Sequence, residues 1–70
     1  MNVHDIAVLL WELGAMPFSI TEENRTIRLY VSPHAFDNVR YAIESRFAEE
    51  GITYERKGFL CSGWRFVHVA

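Results

Sequence analysis

A chain of 70 residues, half of them hydrophobic and 14% aromatic, makes one small domain near the size at which a core becomes hard to close. Its net charge of −2 is too small to draw it to nucleic acid wholesale, or to make it an acidic mimic of nucleic acid. The single cysteine, Cys61, excludes an internal disulfide, and the apolar run from Ile6 to Leu13 is too short for a membrane span and lacks the basic flank of a secretory signal, so a soluble, cytoplasmic protein is expected.

Asn2 to Leu13 reads as a first helix, with Asn2 as its cap and Asp5 near the positive helix end. On a helical wheel Val3, Ile6, Ala7, Leu10 and Leu13 form the buried stripe, while His4, Asp5, Val8, Trp11 and Glu12 fall on the opposite arc. A Trp and a Val on a polar arc mark either a second packing surface or ordinary exposed apolar residues. Gly14 closes the helix and Pro17 prevents a restart. Phe18 and Ile20 then alternate with Ser19 and Thr21 as a short strand, Glu22 to Arg25 form a polar turn, and Thr26 to Val31 alternates again. The pair is a hairpin whose inner face is Ile27, Leu29 and Val31, with Thr26, Arg28 and Tyr30 on the other.

Ser32 to Gly51 is the segment whose start, face and stop agree best. Ser32 can cap, Pro33 fits the first turn, Ala35, Phe36, Val39, Ala42, Ile43 and Phe47 recur at helical steps, and Gly51 can take the left-handed conformation that ends a helix. Ile52 to Arg56 reads as a third strand and Trp64 to Val69 as a fourth. Their connection is either a tight Ser62, Gly63 turn or an open loop from Lys57 to Gly63. In the tight-turn register Cys61 pairs with Trp64, Leu60 with Arg65 and Phe59 with Phe66. The order αββαββ, in one domain covering residues 1–70, is expected to give an α+β two-layer sandwich. Two helices would cover one face of a four-stranded antiparallel sheet, a permuted ferredoxin-like arrangement with strand four beside strand two. A meander with another strand order is the alternative.

Candidate chemistry is sparse. His4, His34, His68 and Cys61 are the soft metal ligands, and none is spaced as a ligand pair, so no metal is expected. Cys61, Ser62 and Gly63 lie too close to Arg65 for a cysteine-phosphatase loop, and no GxSxG elbow or glycine-rich phosphate loop exists. Glu22, Glu23, Glu49 and Glu50 come in adjacent pairs at a turn and a helix end, where solvated charge is usual. The chain is therefore expected to be non-catalytic and free of cofactors.

The informative feature is a surface. With the helices over Ile27, Leu29, Val67 and Val69, the opposite sheet face would carry Trp64, Phe66 and His68 beside Arg28 and Tyr30, with Lys57 at its margin. Aromatic and arginine residues on one open face suit binding to another protein or to a second copy of the chain. Single-stranded nucleic acid, stacked on the aromatics, is the alternative. His4, Val8 and Trp11 of the first helix form a second possible protein contact. A short chain of this kind, read as a complete product, suits an accessory regulator or inhibitor of a larger complex, as small phage and mobile-element proteins often are.

Overall fold

The structure, a computed structural model, describes residues 2–57 and 64–69. The first helix, α1, spans Val3–Glu12. Asn2 caps it reciprocally: its side-chain oxygen accepts the Asp5 N–H at 2.8 Å, and the Asp5 carboxylate accepts the Asn2 N–H at 3.4 Å. Val3, Ile6, Ala7 and Leu10 are buried as the spacing predicts, Leu9 joins them, and Leu13 is only partly buried. At the helix end the Gly14 N–H donates to Trp11 O at 3.1 Å and the Ala15 N–H to Leu10 O at 3.0 Å, a closure that holds Gly14 at φ +102°.

Strand β1 (Met16–Thr21) pairs antiparallel with β2 (Thr26–Tyr30). It begins two residues before the expected Phe18, and its register shifts between Pro17 and Ser19. Phe18 is the extra residue in that irregularity. It is 50% exposed instead of sharing the inner face with Ile20, which packs against the core. The turn closes with the Arg25 N–H donating to Glu22 O at 3.2 Å and Arg25 itself at φ 53°.

A single 3-10 turn, Pro33–Ala35, then leads into α2, Phe36–Glu50. The expected start at Ser32 is corrected. Ala35 stands at the α-helical N-cap, and no side chain caps the turn or the helix. Pro33 supports the tighter first turn, which the Ala35 N–H closes onto Ser32 O at 3.0 Å. Val39, Ile43 and Phe47 are buried, four residues apart, so a narrow stripe attaches this helix. Its end matches the sequence reading: Gly51 lies at φ 70°, and the Ile52 N–H donates to Phe47 O at 2.9 Å. That bond explains why β3 starts at Tyr54 and not at Ile52, because Ile52 is committed to closing the helix.

Strand β3 (Tyr54–Lys57) and β4 (Trp64–Val69) pair antiparallel, β4 also pairs with β2, and the backbone order is β1-β2-β4-β3. The turn of β1–β2 is latched to the end of β4: the Val69 N–H donates to Arg25 O at 2.9 Å, and Arg25 Nε donates to Val69 O at 3.3 Å. Lys57 pairs with Phe66, where the tight turn required Phe59. The ladder is thus displaced by two residues, a full pleat period, so each residue keeps its face. Phe59, Leu60, Cys61 and the Ser62, Gly63 turn lie outside the described residues.

The fold class is also corrected. The expected ferredoxin-like sandwich on four regular strands gives way to an α+β unit of two helices, a two-stranded antiparallel hairpin and a short third strand of four residues. β4 is tied in by its backbone ladders, and Val69, 3% exposed, is its described contribution to the core. The rest of that core comes chiefly from α1, from Ile27, Leu29 and Val31, and from the α2 stripe. Ring contact between Phe47 and Tyr54, edge to face with centroids 4.8 Å apart, joins α2 to β3.

Candidate interaction surfaces

The β2 alternation decides which sheet face is which. Ile27 and Leu29 are buried against the helices, while Arg28 and Tyr30 between them are exposed. Cross-strand partners share a face, so the ladders extend this outer face residue by residue. Its first row is Met16, Tyr30 and Trp64, its second Ser19, Arg28, Phe66 and Lys57, and its third Thr21, Thr26, His68 and Glu55. By backbone pairing, Trp64, Phe66 and His68 are opposite Tyr30, Arg28 and Thr26, and Lys57 is opposite Phe66; of these residues Arg28 and Tyr30 are seen exposed.

Met16, 51% exposed beside Tyr30, belongs to this face and was not anticipated. Strict alternation counted back from Ile20 through Phe18 would place residue 16 inward; the register shift between Pro17 and Ser19 turns it to the outer face, and nothing local in the sequence marks that shift.

His4, Val8 and Trp11 form a separate surface. Val8 and Trp11 are each 59% exposed, and with His4, Ala7, Pro17 and Ile20 they line a groove of about 330 Å³ between α1 and β1. His4 Nε2 meets Glu22 Oε1, tying the start of α1 to the β1–β2 turn. Phe18, on the same edge strand, adds an exposed ring.

The groups weighed for chemistry are scattered. Glu22 faces His4, and Glu50 lies 3.7 Å from Arg46 one helical turn away. His34 is exposed in the 3-10 turn. No group of three or more His, Cys, Asp or Glu suited to a metal ion occurs among the described residues, and Cys61 lies outside them. A cleft of about 510 Å³ at the end of the sheet is lined by Ile6, Arg25, Glu50, Gly51, Ile52, Thr53 and Val69. Its two charges oppose each other, and Arg25 already bonds Val69 O. Among the described residues no helix is long and apolar enough to cross a membrane. Comparison with protein-family models, with curated proteins and with solved structures found no match for the chain.

Proposed function

We propose that the protein is a non-catalytic interaction module that docks through its outer sheet face onto another protein and regulates or blocks it. The observation that carries this reading is the register that gathers Tyr30 and Arg28 of β2 with Trp64, Phe66 and His68 of β4, opposite the helix-covered side. Trp, Tyr and Arg contribute most of the binding energy at protein interfaces, because each combines a large apolar body with a directional polar group. The α1 groove at Val8 and Trp11 is the secondary contact. Capture by immobilised protein from its source cells, with Trp64→Ala and Trp11→Ala beside the wild type, tests the assignment: loss with Trp64→Ala and retention with Trp11→Ala is expected.

A second reading has its own observation. The middle row sets Arg28 and Lys57 on either side of Phe66, the pairing of cations with an aromatic that stacks single-stranded nucleic acid. Glu55 in the adjoining row and the net charge of −2 weigh against it. Titration with a labelled single-stranded oligonucleotide at low salt should leave Trp fluorescence unchanged; quenching that salt reverses would favour nucleic acid instead.

A further inference from the structure

We propose that the groove between α1 and β1 receives a basic amphipathic helix of a partner protein; this gives the secondary contact a partner of its own and does not depend on the outer sheet face. Two observations meet there. The groove is apolar: Val8 and Trp11, each 59% exposed, stand one turn apart on α1, and β1 contributes Pro17 and Ile20. Its surroundings are acidic. Residues 1–24 hold Asp5, Glu12, Glu22 and Glu23 and no lysine or arginine, so all seven basic residues of the chain come later in it.

Charge decides the kind of partner. Asp5 and Glu12 lie three residues before Val8 and four after it, so both carboxylates flank Val8 on the side of the helix away from Trp11. Glu22 and Glu23 are exposed in the β1–β2 turn, at the end of the groove where His4 meets Glu22. Glu12 and Glu23 have no ion-pair partner among the described residues, while Arg25 is engaged with Val69 O, Arg40 with Asp37 and Glu44, and Arg46 with Glu50. An apolar strip edged by carboxylates complements a helix with apolar anchors at i, i+3 or i+4 and i+7, flanked by Lys and Arg. His4 and Trp11 are two turns of α1 apart, about 10 Å, the span from i to i+7 of such a helix. A second copy apposed on this surface would set the same carboxylates against each other, and the phosphates of nucleic acid or anionic lipid would be repelled as well. A strand added to the edge of β1 fits less well, because Pro17 has no N–H to donate and the register shift beside it interrupts the edge.

Fluorescence anisotropy with the full chain and a labelled peptide tests this. The probe is a leucine-lysine peptide of about 18 residues, with its leucines on one helical face, compared with a leucine-glutamate peptide of the same pattern. The leucine-lysine peptide should bind, and its binding should weaken several-fold between low salt and about 0.3 M salt. Trp11→Ala should weaken it roughly tenfold or more. Glu12→Lys combined with Glu23→Lys should weaken it roughly fivefold and allow the leucine-glutamate peptide to bind instead. Tyr41→Asp on α2, where residue 41 is 71% exposed, should change nothing. Absence of binding at low salt, equal binding of both peptides by the wild type, or binding that Trp11→Ala leaves intact overturns the inference. If the peptide fails while Trp64→Ala still abolishes capture from extract, the inference falls and the outer-face reading stands. If the peptide binds as expected while Trp64→Ala captures like the wild type, the outer-face reading falls and the inference stands. Unchanged circular dichroism of each variant separates these outcomes from unfolding.

Discussion

Replacing Phe47 by alanine should remove most of the stability of this domain. The ring is completely buried and lies edge to face against Tyr54, with centroids 4.8 Å apart and planes at 86°. Truncating such a ring costs about 3–5 kcal/mol, while a domain of this size has roughly 4–10 kcal/mol in total. The variant should therefore be partly unfolded at 25 °C, or unfold in very little urea. A gentler test isolates the ring pair. Phe47→Leu, Tyr54→Leu and the double variant form a cycle whose coupling should be about 1 kcal/mol. With a urea slope of about 1 kcal/mol/M for a small domain, that coupling appears as roughly a 1 M departure from additive midpoints. Far-ultraviolet circular dichroism in urea reads it. Additive midpoints, or a Phe47→Ala protein that unfolds with the wild type, would refute the claim that this contact fastens α2 to β3.

Three smaller effects follow from backbone geometry. Asn2→Ala removes one half of the capping box and should lower stability by about 1 kcal/mol in the same urea assay, with Asn2→Asp close to neutral. Gly14→Ala meets two obstacles, a φ of +102° and a new Cβ only 3.1 Å from Val39 Cγ2, whereas Gly51→Ala meets only the left-handed φ of +70° in open space. Gly51→Ala should thus cost about 1 kcal/mol and Gly14→Ala measurably more, an order that thermal melts can check. Trp11→Ser, at an exposed site, should change the unfolding free energy by less than about 0.5 kcal/mol, which would show that this ring serves the surface and not the core.

Local signals made the helices and the hairpin legible. Asn2 with Asp5, Gly14 and Gly51 each specify a helix end through bonds within a few residues, and all three act in the structure as their chemistry requires. The alternation of Ile27 and Leu29 with Arg28 and Tyr30 assigns the two sheet faces, and burial follows it. Signals that depend on competition were harder to read. Ser32 has the chemistry of a cap, yet Pro33 starts a 3-10 turn and the α-helix opens at Ala35. Ile52 suits a strand, but closing α2 takes its N–H. Phe18 fits the alternating pattern, but a register shift on an edge strand turns it outward. The two-residue displacement of the β3–β4 ladder illustrates the same limit. Hydrophobic alternation constrains strand pairing only to within a pleat period, so it left the partner of Phe66 open.

The functional assignment rests on that outer face, and capture with nuclease treatment tests it most directly. Immobilised wild-type protein and its Trp64→Ala, Arg28→Glu and Trp11→Ala variants would be exposed to extract from the source cells, with and without nuclease, and bound protein identified by mass spectrometry. The account predicts a defined protein partner, a second copy of the chain included, that survives nuclease, is lost with Trp64→Ala and Arg28→Glu, and is retained with Trp11→Ala. Equal capture by all variants, or capture that nuclease abolishes, would contradict it.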